Sequence, residues 1–180
     1  MTFWIYGVLF AAVICMFFKN TFIISFKKID KSGFNSLAII GFITLVSIII
    51  CAILIDRLGI QNSNESGIDS SLNSSTLNYI LTAIAAIVFA PLTEEIFFRF
   101  IVFRSINKFN MFLAHICVAI LFGFFHVWVY VLVFGEYDQL IAMVPYICMS
   151  LGFSILYQKT KNISFPIILH AAINLVAVLG

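Results

Sequence analysis

Six residues in otherwise apolar surroundings carry the groups that could do chemistry. Glu94, Glu95 and Arg99 stand in Ala90-Pro91-Leu92-Thr93-Glu94-Glu95-Ile96-Phe97-Phe98-Arg99, His126 closes Phe122-Gly123-Phe124-Phe125-His126, and His170 and Asn174 bound His170-Ala171-Ala172-Ile173-Asn174. A carboxylate and a neutral imidazole together hold and deprotonate a water, while a second imidazole and an amide N–H donate to a developing oxyanion. Glu94, His126, His170 and Asn174 therefore have the composition of an amide-hydrolysis site. A metal reading takes Glu94, His126 and His170 as Zn2+ ligands with water in the open position. No HExxH stretch is present to supply paired histidines with a base between them, so no cofactor is favoured and Zn2+ is the alternative. Each motif also has a plainer reading: His126 as a packing histidine, His170 and Asn174 as interhelical hydrogen bonding.

Helical spacing divides the three charges of the first stretch. Residues four apart share a face, so Glu95 and Arg99 pair in the favourable order, whereas Glu94 points about 100° away and must look to another helix or to water. Counted naively, three charges at the centre of a membrane helix cost on the order of 8–10 kcal/mol, which calls for pairing, function or both. Pro91 cannot donate the bond normally made to the Ile87 carbonyl, and so opens the helix beside Glu94.

The membrane frame follows from composition. Of 180 residues, 63% are hydrophobic and 10% charged, where a soluble domain carries about a quarter. A net charge of +2, scattered along the chain, excludes nucleic acid as a partner class. The four cysteines, Cys15, Cys51, Cys117 and Cys148, fall in separate apolar runs without metal spacing and read as small apolar residues.

The expected fold is an all-α, polytopic transmembrane bundle forming a single integral membrane domain over 1–180. About six spans are expected, at roughly 2–18, 36–55, 77–103, 111–134, 140–157 and 164–179. The first has no basic n-region and reads as a retained span. Basic residues collect in alternate connections: Lys19, Lys27, Lys28 and Lys31, then Arg104 and Lys108, then Lys159 and Lys161. Those loops are placed in the cytoplasm and both termini outside. The connection 56–76, rich in Ser, Asn and Gly, reads as a flexible outer loop, and Trp4, Trp128, Tyr130, Tyr137 and Tyr157 as interfacial anchors. His115 reads as structural.

At about 1.5 Å per residue, Glu94, His126 and His170 all fall within the hydrocarbon layer, so one shared, water-filled cavity is expected. Glu94-Glu95-x-x-x-Arg99, Phe122-x-x-x-His126 and His170-x-x-x-Asn174, in that order on three spans, resemble the three motifs of the CPBP family of intramembrane proteases. That family takes in CAAX prenyl proteases and bacteriocin self-immunity proteins. The motif core is about 80–174, and the chain is short beside family members with about eight helices. The resemblance implies a multi-pass cell-membrane endopeptidase acting on a peptide or membrane protein within the bilayer. It implies Glu94 as general base, His126 as a water-orienting group, and His170 and Asn174 as the oxyanion site, supported by Glu95, Arg99 and Phe122. The alternatives are a non-catalytic bacteriocin-immunity or interaction protein, and an ion-coupled carrier.

Overall fold

The structure, a computed structural model, describes residues 16–179, and every described element is a helix, a turn or a bend. Residues 16–27 form α1; then follow α2 (Lys31–Arg57), α3 (Ser63–Leu72), α4 (Thr76–Asn107), α5 (Met111–Leu132), α6 (Gln139–Thr160) and α7 (Ser164–Leu179). Four of them, α2, α4, α5 and α6, are long and apolar enough to cross a membrane, and α7 is a shorter apolar helix. The expected spans from 36–55 onward correspond to α2, α4, α5, α6 and α7. Most of the expected span at 2–18, with Trp4 and Cys15, lies outside the described residues.

Short polar residues start these helices by satisfying first-turn N–H groups. Asp30 Oδ1 accepts from Gly33 N at 2.8 Å, Ser75 Oγ from Asn78 N at 3.2 Å, and Asn110 Oδ1 from Leu113 N at 2.9 Å. α6 ends where Lys161 turns left-handed, at φ 52°. The connection expected to be a flexible loop instead holds α3. Asn62 caps it by accepting from the N–H groups of Asn64 and Glu65.

α6 is the central helix, lying along α2 and α5 and also against α7. Its most apolar stretch is 56% buried, against 17–33% for the other three spans. Aliphatic side chains on the outer faces, among them Ile43, Ile50 and Leu54 of α2, remain exposed as lipid contacts would. Between membrane helices, close packing and hydrogen bonds replace the hydrophobic drive. Gly152 lets α2 approach α6 so closely that an added Cβ would overlap the Thr44 side chain. The buried centre is aromatic: Phe98, Phe103, Phe122, Phe153 and Phe165 are all at most 3% exposed. Tyr157, expected at the interface, is buried against Phe103, on a face of α6 turned into the bundle. His115 joins α5 to α6 through Ser154 Oγ and Gln158 Oε1, each at 2.7 Å.

Candidate active site

α4 is not a uniform α-helix. Residues 85–89 and 96–103 are π-helical, and the α-helical turn 90–95 between them carries Pro91, Glu94 and Glu95. In the first π stretch Ala90 N–H donates to Ala85 O, five residues back. In the same register Pro91, lacking an N–H, leaves Ala86 O without its backbone donor. Asn174 Nδ2 of α7 donates to that oxygen at 2.8 Å. The carbonyl exposed by the proline is therefore Ala86, not Ile87 as an α register implies, and it is met by a side chain.

Glu95 and Arg99 lie one turn apart, both fully buried, with Oε2 to Nε at 3.1 Å. The N–H is not aimed at the oxygen, so the contact is an ion pair without an aligned hydrogen bond. α6 adds hydrogen bonds to Arg99, where Nη2 donates to Ser150 Oγ at 2.8 Å and to Ser150 O at 3.2 Å. The faces of Phe122 and Phe153 lie 4.8 and 5.2 Å from its guanidinium carbon, an arrangement that lowers the cost of a desolvated cation. Ser150 has no motif around it, and sequence spacing does not point to it.

The second oxygen of Glu95 reaches α7, where His170 Nδ1 donates to Oε1 at 3.0 Å. A carboxylate offers no proton, so Nδ1 carries the hydrogen and Nε2 is left as the free nitrogen. The Glu95–Arg99 pair is thus also the anchor of His170, a link that in-helix spacing could not reveal. On α5, His126 Nδ1 donates to Phe122 O at 2.8 Å, which frees its Nε2 in the same way. The Phe122 ring, fully buried, lies 4.6 Å from the His126 ring and 5.9 Å from that of His170.

Both free nitrogens face Glu94. Its Oε2 lies 3.9 Å from His126 Nε2 and 3.9 Å from His170 Nε2, and it is buried without a hydrogen-bond partner. Three helices therefore converge three acceptor groups on one small space. Acceptors alone repel, so the arrangement calls for a donor between them. A water bonded at about 2.8 Å to two atoms spaced this way makes an angle of roughly 90°, within its reach. The space is not sealed: the Glu94 and His126 side chains retain 15% and 16% exposure. As a zinc site the spacing is wide, since ligands about 2.0–2.1 Å from a tetrahedral ion lie about 3.3–3.4 Å apart. Among the described residues, no group of three His, Cys, Asp or Glu is arranged to hold a metal ion.

The architecture is that of an all-helical membrane protein with a carboxylate and two imidazoles gathered inside its bundle. Residues 76–176, the span from the start of α4 to just past Asn174, match the Type II CAAX prenyl endopeptidase Rce1-like family. This is more than half of the chain, which therefore belongs to that family of intramembrane proteases. A relative in Bacillus subtilis (strain 168), named "Putative membrane peptidase YdiL", is 29% identical over 118 residues, which make up 65% of this chain and 42% of that protein. The chain thus spans less than half the length of this curated relative. No solved structure matches it.

Proposed function

We propose that the protein is a multi-pass integral protein of the cell membrane and an endopeptidase that cleaves a membrane-associated protein or peptide. The observation that carries this reading is the pair of 3.9 Å separations from Glu94 Oε2 to the two imidazole Nε2 atoms, around an oxygen with no partner of its own. A water in that space gives one hydrogen to Glu94 Oε2 and the other to His126 Nε2. As its oxygen attacks the scissile carbonyl carbon, Glu94 takes the proton. The carbonyl oxygen becomes the oxyanion. His170 takes a proton from solvent at Nε2 before the attack and keeps it through the cycle; the imidazolium donates to the oxyanion, and the Glu95 carboxylate on Nδ1 supports it as the acid of a catalytic triad does. Asn174 spends one amide hydrogen on Ala86 and keeps a second for the same oxyanion. Collapse breaks the C–N bond, and the proton on Glu94 passes to the leaving amine, so one water yields one acid and one amine.

No step in this scheme uses a metal ion. Chelator treatment followed by zinc add-back during the assay should leave cleavage unchanged, and stoichiometric zinc that restores lost activity would replace the scheme with a metal-assisted one. The central test compares wild type and Glu94→Gln on a peptide reconstituted in the same membrane, with products identified by mass. Equal cleavage by the two would remove the assignment. Bacteriocin protection that persists in Glu94→Ala and His170→Ala variants accumulating normally in the membrane would instead favour the non-catalytic binding role.

A further inference from the structure

We infer that Tyr146 is a positioning residue for His126, and that helix α3 fixes its ring from the outer side of the bundle. The inference rests on the hydrolytic reading above, but it stands on contacts outside the three motifs.

Among the described residues, the His126 ring has one hydrogen bond, from Nδ1 to Phe122 O on its own helix. That bond alone lets the imidazole swing about the N–H···O axis, and such a swing would carry Nε2 away from Glu94. One face of the ring is closed by Tyr146 of α6. The two rings are stacked, with centroids 4.3 Å apart and planes 16° from parallel. The Phe122 ring at 4.6 Å and the edge of Phe125 at 5.8 Å complete the slot. Among the described residues, no other aromatic contact of His126 is as close or as parallel.

Tyr146 is itself held from above. It is 7% exposed, and its hydroxyl oxygen accepts from Asn62 Nδ2 at 3.0 Å and from Asn64 Nδ2 at 3.1 Å. Those two donors fill both lone pairs of the oxygen. Asn62 is the N-cap of α3, so its side chain both starts the helix and grips the tyrosine. The same end of α3 is fastened to the start of α6 and the turn before it. Ser63 N donates to Gln139 Oε1 at 3.0 Å, Ser63 Oγ to Glu136 Oε2 at 2.7 Å, and Gln139 Nε2 to Gln61 O at 2.8 Å. Gln139 is 1% exposed, so both ends of its amide are used in a place water does not reach.

A surface helix needs no contact with a catalytic group in order to be tied down. Here the tie ends on the one side chain that stacks on His126, and reacting groups tolerate only about 0.5 Å and 10–20° of misplacement. The chain of contacts runs from α3 through the Tyr146 hydroxyl to its ring, and from the ring to the imidazole that faces Glu94. A merely structural role for Tyr146 predicts variants that differ in accumulation alone. A positioning role predicts that the ring matters more than the hydroxyl, and that turnover changes more than substrate binding.

The test uses full-length protein reconstituted in vesicles, with Tyr146→Phe, Tyr146→Leu and the paired Asn62→Ala, Asn64→Ala variant. Peptide cleavage gives kcat and KM. Imidazole 15N resonances of His126 are followed in parallel without substrate, and the chain has only 3 histidines to assign. Tyr146→Leu is expected to lower kcat on the order of 10- to 100-fold, as small displacements of reacting groups do, with KM within about twofold. It should also shift or broaden the His126 resonances. Tyr146→Phe keeps the stack but loses the tie to α3, so it should lose kcat only a few-fold, and the asparagine pair, which cuts the same tie, should match it. Wild-type kcat in Tyr146→Leu, equal losses in the Phe and Leu variants, or unmoved His126 resonances would each overturn the inference. If wild type and Glu94→Gln cleave alike, the hydrolytic reading fails instead, and the resonances still decide whether Tyr146 holds His126.

Discussion

Glu95 Oε1 accepts a hydrogen bond from His170 Nδ1 at 3.0 Å, across the interface between α4 and α7. The other oxygen of this carboxylate faces Arg99, so one fully buried acid serves a cation on its own helix and an imidazole on another. The two duties separate by mutation.

Removing either charge of the Glu95–Arg99 pair leaves the other buried and uncompensated, a loss of about 3–5 kcal/mol. Glu95→Gln and Arg99→Met alone should each accumulate poorly in the membrane. Combined, they should recover much of the folded protein but not the cleavage activity, because the Gln amide oxygen still accepts from His170 Nδ1 but brings no negative charge to support an imidazolium. Thermal unfolding in detergent and a peptide-cleavage assay on the same preparations check both halves. A double variant as active as wild type would show that Glu95 acts on stability alone.

Glu94 presents the opposite case. Its Oε2 is buried with two imidazole nitrogens nearby and no hydrogen bond of its own. Glu94→Gln brings amide donors to those nitrogens, so the folded state should hold its stability or gain on the order of 1 kcal/mol. Catalysis should fall by about 10²-fold or more with the loss of the general base. A Glu94→Gln protein that unfolds well below wild type would show that the carboxylate is structural.

Asn174 and Pro91 should be energetically coupled through the Ala86 carbonyl. Asn174→Ala strands a part-buried acceptor, at about 1–3 kcal/mol at most. In a Pro91→Ala background the restored N–H can take over, and the penalty should shrink. A double-mutant cycle read by thermal unfolding would reject this if the two effects simply add. Cleavage by the double variant then separates the duties of Asn174: lost activity despite restored stability assigns its second amide hydrogen to the reaction.

At the α2–α6 contact, Gly152→Ala forces a methyl against Thr44, and overpacking of this kind costs about 1–3 kcal/mol. Thr44→Ala should relieve part of that loss. If Gly152→Ala unfolds at the wild-type midpoint, the two helices are not held as closely as described.

Much of this arrangement is legible in the sequence because its signals are local. The four-residue step from Glu95 to Arg99 and the one from Phe122 to His126 are each complete within one turn of one helix. The apolar runs locate α2, α4, α5, α6 and α7 to within a few residues. What spacing could not supply are the links between helices: Glu95 to His170, Arg99 to Ser150, Tyr146 to His126. Ser150 and Tyr146 are not marked by their neighbours in sequence, and the spacing around His170 points to Asn174, not to Glu95. α3 was hidden for another reason, since its Ser, Asn and Gly content resembles a loop. Yet Asn62, followed three residues later by Glu65, is a capping-box pattern that marks a helix start. The Asn174–Ala86 bond depends on a π-helical register, and nothing in hydrophobic periodicity distinguishes five-residue closure from four.

That register has a consequence for how α4 is read as a mechanical part. A π turn accommodates a surplus residue without breaking the helix, and one residue corresponds to about 100° of rotation. The stretch 85–89 therefore acts as a phase shifter between the first turns of α4 and the turn that carries Glu94. Rewinding that stretch as plain α-helix with every residue kept would preserve a membrane-spanning helix of nearly the same length and the same apolarity while turning Glu94 toward a different neighbour. The azimuth of the acid, and not only its depth, is written into the winding of the backbone.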